Sequence, residues 1–151
     1  MAIATEARVK FSREWAMPNS RTYDIVCIEK LIRNYIKPQM YSIDPFSNES
    51  RLATVTNDLN TDYKTDYHLE ANDFLNLFES NSVDAVLFDP PYSLRQVSES
   101  YKKHGLSVNM ETTQSSFWAK MKNKIGHIIK PNGIAICFGW NSSGIGTVFR
   151  V

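Results

Sequence analysis

Apolar residues recur at helical spacing between residues 23 and 36, where Ile25, Val26, Ile28, Leu31, Ile32 and Tyr35 share a side. Pro38 then stops the run. The short apolar piece 40–43 runs into Asp44-Pro45 and predicts a buried strand cut off by its proline. A second strand is expected over 52–56, ending at Asn57-Asp58, and a short third one over 67–70. Residues 73–78 predict a helix of one to two turns, with Asn72 and Asp73 as candidate caps. Asp84-Ala85-Val86-Leu87-Phe88 is a strong strand that stops at Asp89-Pro90-Pro91-Tyr92. After a long polar stretch, residues 117–129 read as a helix with Phe117, Met121, Ile125, Ile128 and Ile129 on one face. Pro131-Asn132-Gly133 predicts a turn into a last apolar strand over 134–138.

Strands apolar on both faces and separated by helices imply an α/β fold with a parallel sheet covered on both sides. At 151 residues, 42% of them hydrophobic and 22% charged, the chain is expected to be one globular domain. It has no internal repeat and no Gly/Ser-rich linker. Its parts are an N-terminal segment and helix (1–37), a first sheet half (38–92), a polar loop (93–116) and a basic helix with the last strand (117–151). No apolar run approaches the ~20 residues of a membrane helix, and the first residues lack an apolar signal core. Cys27 and Cys137, far apart and each in an apolar stretch, are expected to be buried free thiols of a cytoplasmic protein. Trp15, Met17 and Trp118 are expected to pack in the core, and the three histidines have no metal-ligand spacing.

A net charge of +1 hides an asymmetry. Residues 51–90 hold 2 basic and 8 acidic side chains, whereas 91–151 hold 8 basic and 2 acidic ones. Arg95, Lys102, Lys103, Lys120, Lys122, Lys124 and Lys130 all lie in the basic part. Such segregation permits an anionic partner on one face.

Parallel sheets bind ligands beyond the carboxyl ends of their strands, and the unusual residues of this chain collect there. Asp44, Pro45, Phe46 and Asn48 follow the first strand, Asp58 the second, Asp73 the third and Asp89-Pro90-Pro91-Tyr92 the fourth. The turn after Asp44 could cradle a carboxylate with its N–H groups, although it has no glycine. Asp58 is placed to accept hydrogen bonds from a ribose diol. Paired prolines make the loop after Asp89 rigid. Carboxyls of Asp ionise near pH ~4, so Asp89 is expected to be a hydrogen-bond acceptor, with the Pro90 carbonyl beside it. Two adjacent acceptors suit a planar amino group, and Tyr92 offers a face on which a ring can stack.

The order of these elements resembles the class I methyltransferases that use S-adenosylmethionine, with a Rossmann-like sheet. Asp89-Pro90-Pro91-Tyr92 resembles the catalytic motif of the adenine-N6 DNA methyltransferases. The segments 88–99, 113–118 and 129–142 are similar to the small adenine-specific enzymes of phages and mobile elements, and the likeness runs from about residue 15 to 146. It implies that Asp44, Pro45, Phe46, Asn48 and Asp58 hold S-adenosylmethionine, with Asp73 near its adenine and part of 15–28 bordering the methionine end. It implies Asp89, Pro90, Pro91 and Tyr92 as the catalytic corner, and DNA as partner through Arg95, Lys102, Lys103, Lys120 and Lys124. Asn48 and Ser50 stand where many relatives carry glycines. The family continues past Gly146 with a helix and its last strands, whereas here residues 147–151 follow. A sheet lacking those strands is expected, with 134–138 an exposed apolar edge open to self-association. Three activities fit the residues: methyl transfer to adenine in DNA, transfer to amino groups of RNA or protein, and nucleic-acid binding by an inactive remnant.

Overall fold

The computed structural model describes residues 12–17, 21–91, 99, 101–103, 105, 115–139 and 145. A 3-10 turn, Thr22–Asp24, leads through Ile25 into helix α1, Val26–Tyr35. Periodicity predicted one helix over 23–36, but the extended backbone of Ile25 (φ −76°, ψ 115°) divides it. Tyr23, Ile32 and Ile36 are buried, whereas Val26, Leu31 and Tyr35 are exposed, so the apolar stripe is narrower than the spacing suggested.

Strand β1 is Ser42–Asp44 and β2 is Val55–Thr56. The expected strand over 67–70 is reduced to one parallel bridge between Tyr67 and Asn57. The cause is Asp66, whose Oδ2 accepts the Thr56 N–H at 2.8 Å, a bond that a neighbouring strand would otherwise receive. Helix α2 spans Ala71–Leu75, and its N-cap is Glu70, whose carboxylate accepts the Asn72 N–H. The caps expected at Asn72 and Asp73 are therefore corrected: both lie inside the helix. Strand β3 is Val83–Phe88, helix α3 Ser115–Ile128 and strand β4 Ile129–Cys137. β4 begins before the expected turn, because Val83 pairs with Ile129 and Ala85 with Ile134. The intervening Lys130 to Gly133 bulge out of the ladder without ending it.

All four strands are parallel, in the order β2-β1-β3-β4. Successive residues of β3 serve opposite faces, as the pleat requires. Val86 and Phe88 join Phe74, Leu75, Phe117, Met121, Ile125 and Ile128 from α2 and α3. Ala85 and Leu87 meet Tyr23, Ile32 and Ile36 on the face covered by α1. The result is an α/β sheet with helices on both faces, compatible with a Rossmann-like fold. From β1 the chain moves outward to β2, and from β3 outward to β4. In sheets of this kind the reversal point, here between β1 and β3, is where a ligand crevice forms at the carboxyl ends. β4 forms an edge of the described sheet.

Two packing expectations fail. Trp15 and Met17 are 92% and 86% exposed, because their segment has no regular structure and joins neither cluster. Cys27 and Cys137 are free thiols, half-buried where full burial was expected. Among the described residues no helix is long and apolar enough to cross a membrane.

Candidate functional site

Strand β1 ends in Asp44 because Pro45 supplies no N–H to extend the ladder. Asp44 is 1% exposed, on the strand that runs between β2 and β3, with the Tyr23 hydroxyl of the 3-10 turn acting on its carboxyl. Its Oδ1 accepts the Phe46 N–H at 2.9 Å. Its Oδ2, equally buried, has no hydrogen-bond partner within ordinary length among the described residues. Burial pushes this carboxyl from the usual 3.8 up to about 8. The Phe46 N–H and the Tyr23 hydroxyl favour the ionised form, and the charges of Asp89 and Asp58 oppose it. Asp58 after β2 and Asp89 after β3 thus lie close enough to Asp44 at the end of β1 for their charges to act on it.

Asp58 is engaged within the protein. Asn48 donates its N–H to Oδ2 and Asn60 its N–H to Oδ1, each at 2.9 Å. The carboxylate thereby fastens the loop after β2 to the loop after β1. Asn48 has a φ of 50°, the left-handed region that Asn tolerates better than most side chains. An asparagine can therefore occupy a position where a glycine would otherwise be expected.

Four N–H groups of the turn after β1 are spent inside the chain. Phe46 donates to Asp44, Ser47 to the Asn57 carbonyl, Asn48 to Asp58 and Ser50 to the Ser47 carbonyl. The expectation that this turn cradles a ligand carboxylate is corrected: the carboxylates it holds are its own. Pro45 is buried, and Phe46 is half-buried, with its ring 5.8 Å from that of Phe88 and 6.5 Å from that of Trp118.

Asn57 is the residue that sequence reasoning missed. It is 1% exposed, and its amide donates to the carbonyls of Pro45 (3.1 Å) and Leu69 (3.0 Å) and accepts the Leu69 N–H (2.9 Å). One side chain thereby ties the loop after β1 to the approach of α2. A polar residue directly after a strand is its sole sequence signal, and turns share that signal. Tyr23, the start of the helical range expected over 23–36, lies instead in the 3-10 turn, and its hydroxyl acts on Asp44.

Asp73 is exposed on α2. Beside it, Tyr101 donates its hydroxyl to Glu70 Oε1 at 2.7 Å. Burial, then this bond to a carboxylate, raises the Tyr101 hydroxyl above its usual range. Asp89, Pro90 and Pro91 follow β3 directly and are half-buried. Tyr92 and Arg95 lie outside the described residues. Lys102, Lys103 and Lys120 are exposed, and Lys124, one turn after Lys120 on α3, is half-buried.

The crossover from β1 to β2 carries no helix, and a cleft of about 410 Å³ opens between it and α1. Arg21 and Tyr23 line one side, with Ser47, Asn48 and Ser50 on the other. Its volume lies in the range of ~300–1,000 Å³ typical of small-molecule sites. Among the described residues no group of three His, Cys, Asp or Glu side chains is set to hold a metal ion. No protein-family model, curated protein or solved structure matches this chain.

Proposed function

We propose that this domain transfers a methyl group from S-adenosylmethionine to the N6 amino group of adenine in DNA. The observation that carries the reading is the pair of acid-tipped strands flanking the sheet reversal: Asp44, with a buried acceptor left open, ends β1, and Asp89-Pro90-Pro91 follows β3. S-adenosylmethionine brings an ammonium group, a ribose diol and a cationic sulfur, and these donors and charges suit the carboxylates collected here. Asp44 would hold the ammonium end and Asp58 the diol.

Bound S-adenosylmethionine supplies an electrophilic methyl group. The chain's own task is to present the acceptor nitrogen. Asp89 and the Pro90 carbonyl accept hydrogen bonds from the adenine amino group, which draws its lone pair out of conjugation with the ring. Proline rings on both sides of that carbonyl keep its direction fixed without the cost of ordering a floppy loop. The target base leaves the duplex at a cost of a few kcal/mol, and Tyr92, by the motif's resemblance, stacks on it. Lys102, Lys103, Lys120 and Lys124 neutralise phosphates, which positions the duplex without reading its sequence.

The test is transfer of labelled methyl from S-adenosylmethionine to separate pools of duplex DNA, RNA and peptide. Label is expected in DNA adenine, and Asp89→Ala is expected to cut transfer by about 100-fold, the scale of losing one preorganised polar contact. Label confined to RNA or peptide, or an Asp89→Ala protein as fast as wild type, would refute the proposal.

A further inference from the structure

A carboxyl taken out of water is costly to ionise, and more so when the charges of other carboxylates reach it. Asp44 is the one out of water: 1% exposed, with one oxygen held by the Phe46 N–H and the other open. The groups that act on it come from each neighbouring element. They are the Tyr23 hydroxyl from the 3-10 turn, Asp58 from the loop after β2 and Asp89 from the loop after β3. Both of those charges are negative, and they favour keeping a proton on Asp44. A positive group entering the crevice reverses that balance.

We propose that Asp44 waits as a carboxylic acid and exchanges its proton for the ammonium group of an incoming ligand, so that the site takes up a cation by releasing H⁺. The exchange balances in charge: neutral Asp44 plus a cation gives a carboxylate–ammonium pair plus one proton delivered to solvent. An N–H donor is required rather than charge alone, because the open Oδ2 is a buried acceptor that a cation without N–H groups would leave unsatisfied. A metal ion is disfavoured by the geometry, since among the described residues no three carboxylate, His or Cys side chains are close enough together to hold one. The cleft lined by Tyr23 and Asn48 adjoins the same loops and offers the ligand's remainder a place. The retained proton agrees with the carboxyl being held at about 8.

The identity of the ligand as S-adenosylmethionine rests on the proposed function, and calorimetry separates the two ideas. Wild type and Asp44→Asn are titrated with S-adenosylmethionine in buffers of different ionisation heat. The range is about pH 6 to 7, below that where an α-ammonium itself titrates. Wild type is expected to release about one proton per ligand, with affinity rising about tenfold per pH unit. Asp44→Asn, a neutral isostere, is expected to bind more weakly, with no linked proton and no pH dependence. Tyr23→Phe removes a group that favours the carboxylate, so it weakens binding further at fixed pH while keeping the proton release. Ligand heats without buffer dependence in wild type would overturn the exchange and leave the proposed cofactor standing. Absence of any binding would overturn both. Proton release that persists in Asp44→Asn would assign it to another group and overturn the role of Asp44.

Discussion

Asp44 and Asn57 have similar burial and opposite fates, and each sets a prediction. The Asn57 amide makes three hydrogen bonds of 2.9–3.1 Å, so its burial is compensated. Asn57→Ala leaves the Pro45 carbonyl and both backbone groups of Leu69 without their partner. The expected cost is about 2 kcal/mol or more, at ~1–3 kcal/mol for a buried group left unsatisfied, and a urea titration measures it. Asp44 has an open oxygen and a proton it holds to about pH 8, so in the free protein it is a liability. Asp44→Asn is expected to stabilise the ligand-free protein at neutral pH, and an unchanged or lower midpoint would contradict its burial. The sequence made Asp44 and Asp89 legible because an acid followed by proline at a strand end is rare chemistry in a rigid place. Asn57 was illegible because its importance comes from two loops that only the fold brings within reach.

At the scale of elements, periodicity located α1, β1, β3 and α3, and failed where side chains replace backbone partners. Asp66 bonds Thr56 and stands in for a strand at 67–70; Glu70 caps α2 from outside the residues read as caps. β4 shows the opposite failure, a turn signal absorbed by a strand. Pro131, Asn132 and Gly133 form a bulge, with Asn132 at φ 65°. A Cβ on Gly133 would sit 2.9 Å from the Lys130 carbonyl oxygen, 3.0 Å from that of Asp84 and 2.5 Å from Ile129 Cγ2. Two of those neighbours are backbone and cannot swing away. Gly133→Ala is therefore expected to destabilise by about 1–3 kcal/mol, the usual cost of overpacking, seen as a lower thermal midpoint. Asn132→Gly, relieving a left-handed residue in the same bulge, is expected to be neutral or mildly stabilising. The likeness of this bulge to a plain turn in the sequence arises because a bulge and a turn use the same residues.

For the whole molecule, the strand order decides which acids meet, and the acids decide how stability follows pH. Asp44 is raised from 3.8 to about 8, so between those values the folded state holds a proton that the unfolded chain has lost. Its contribution is complete below pH 3.8 and disappears as pH rises through 8. Asp66 and Asp84 run the other way. At Asp66 desolvation opposes ionisation but is outweighed by the hydrogen bonds of Thr56 and Arg51 and the Arg51 charge together, and Lys130 holds Asp84 ionised. Their stability is present above 3.8 and is lost as pH falls through their depressed values. The ligand-free protein is therefore expected to be most stable in mildly acid solution and to weaken steadily toward pH 8. Urea midpoints across that range measure the slope, and Asp44→Asn is expected to flatten the alkaline side while leaving the acid side intact. A wild-type curve that rises from pH 5 to 8 would mean that Asp44 is ionised in the empty fold. The crevice between β1 and β3 would then be an already anionic acceptor of cations and not an exchanger of protons for them.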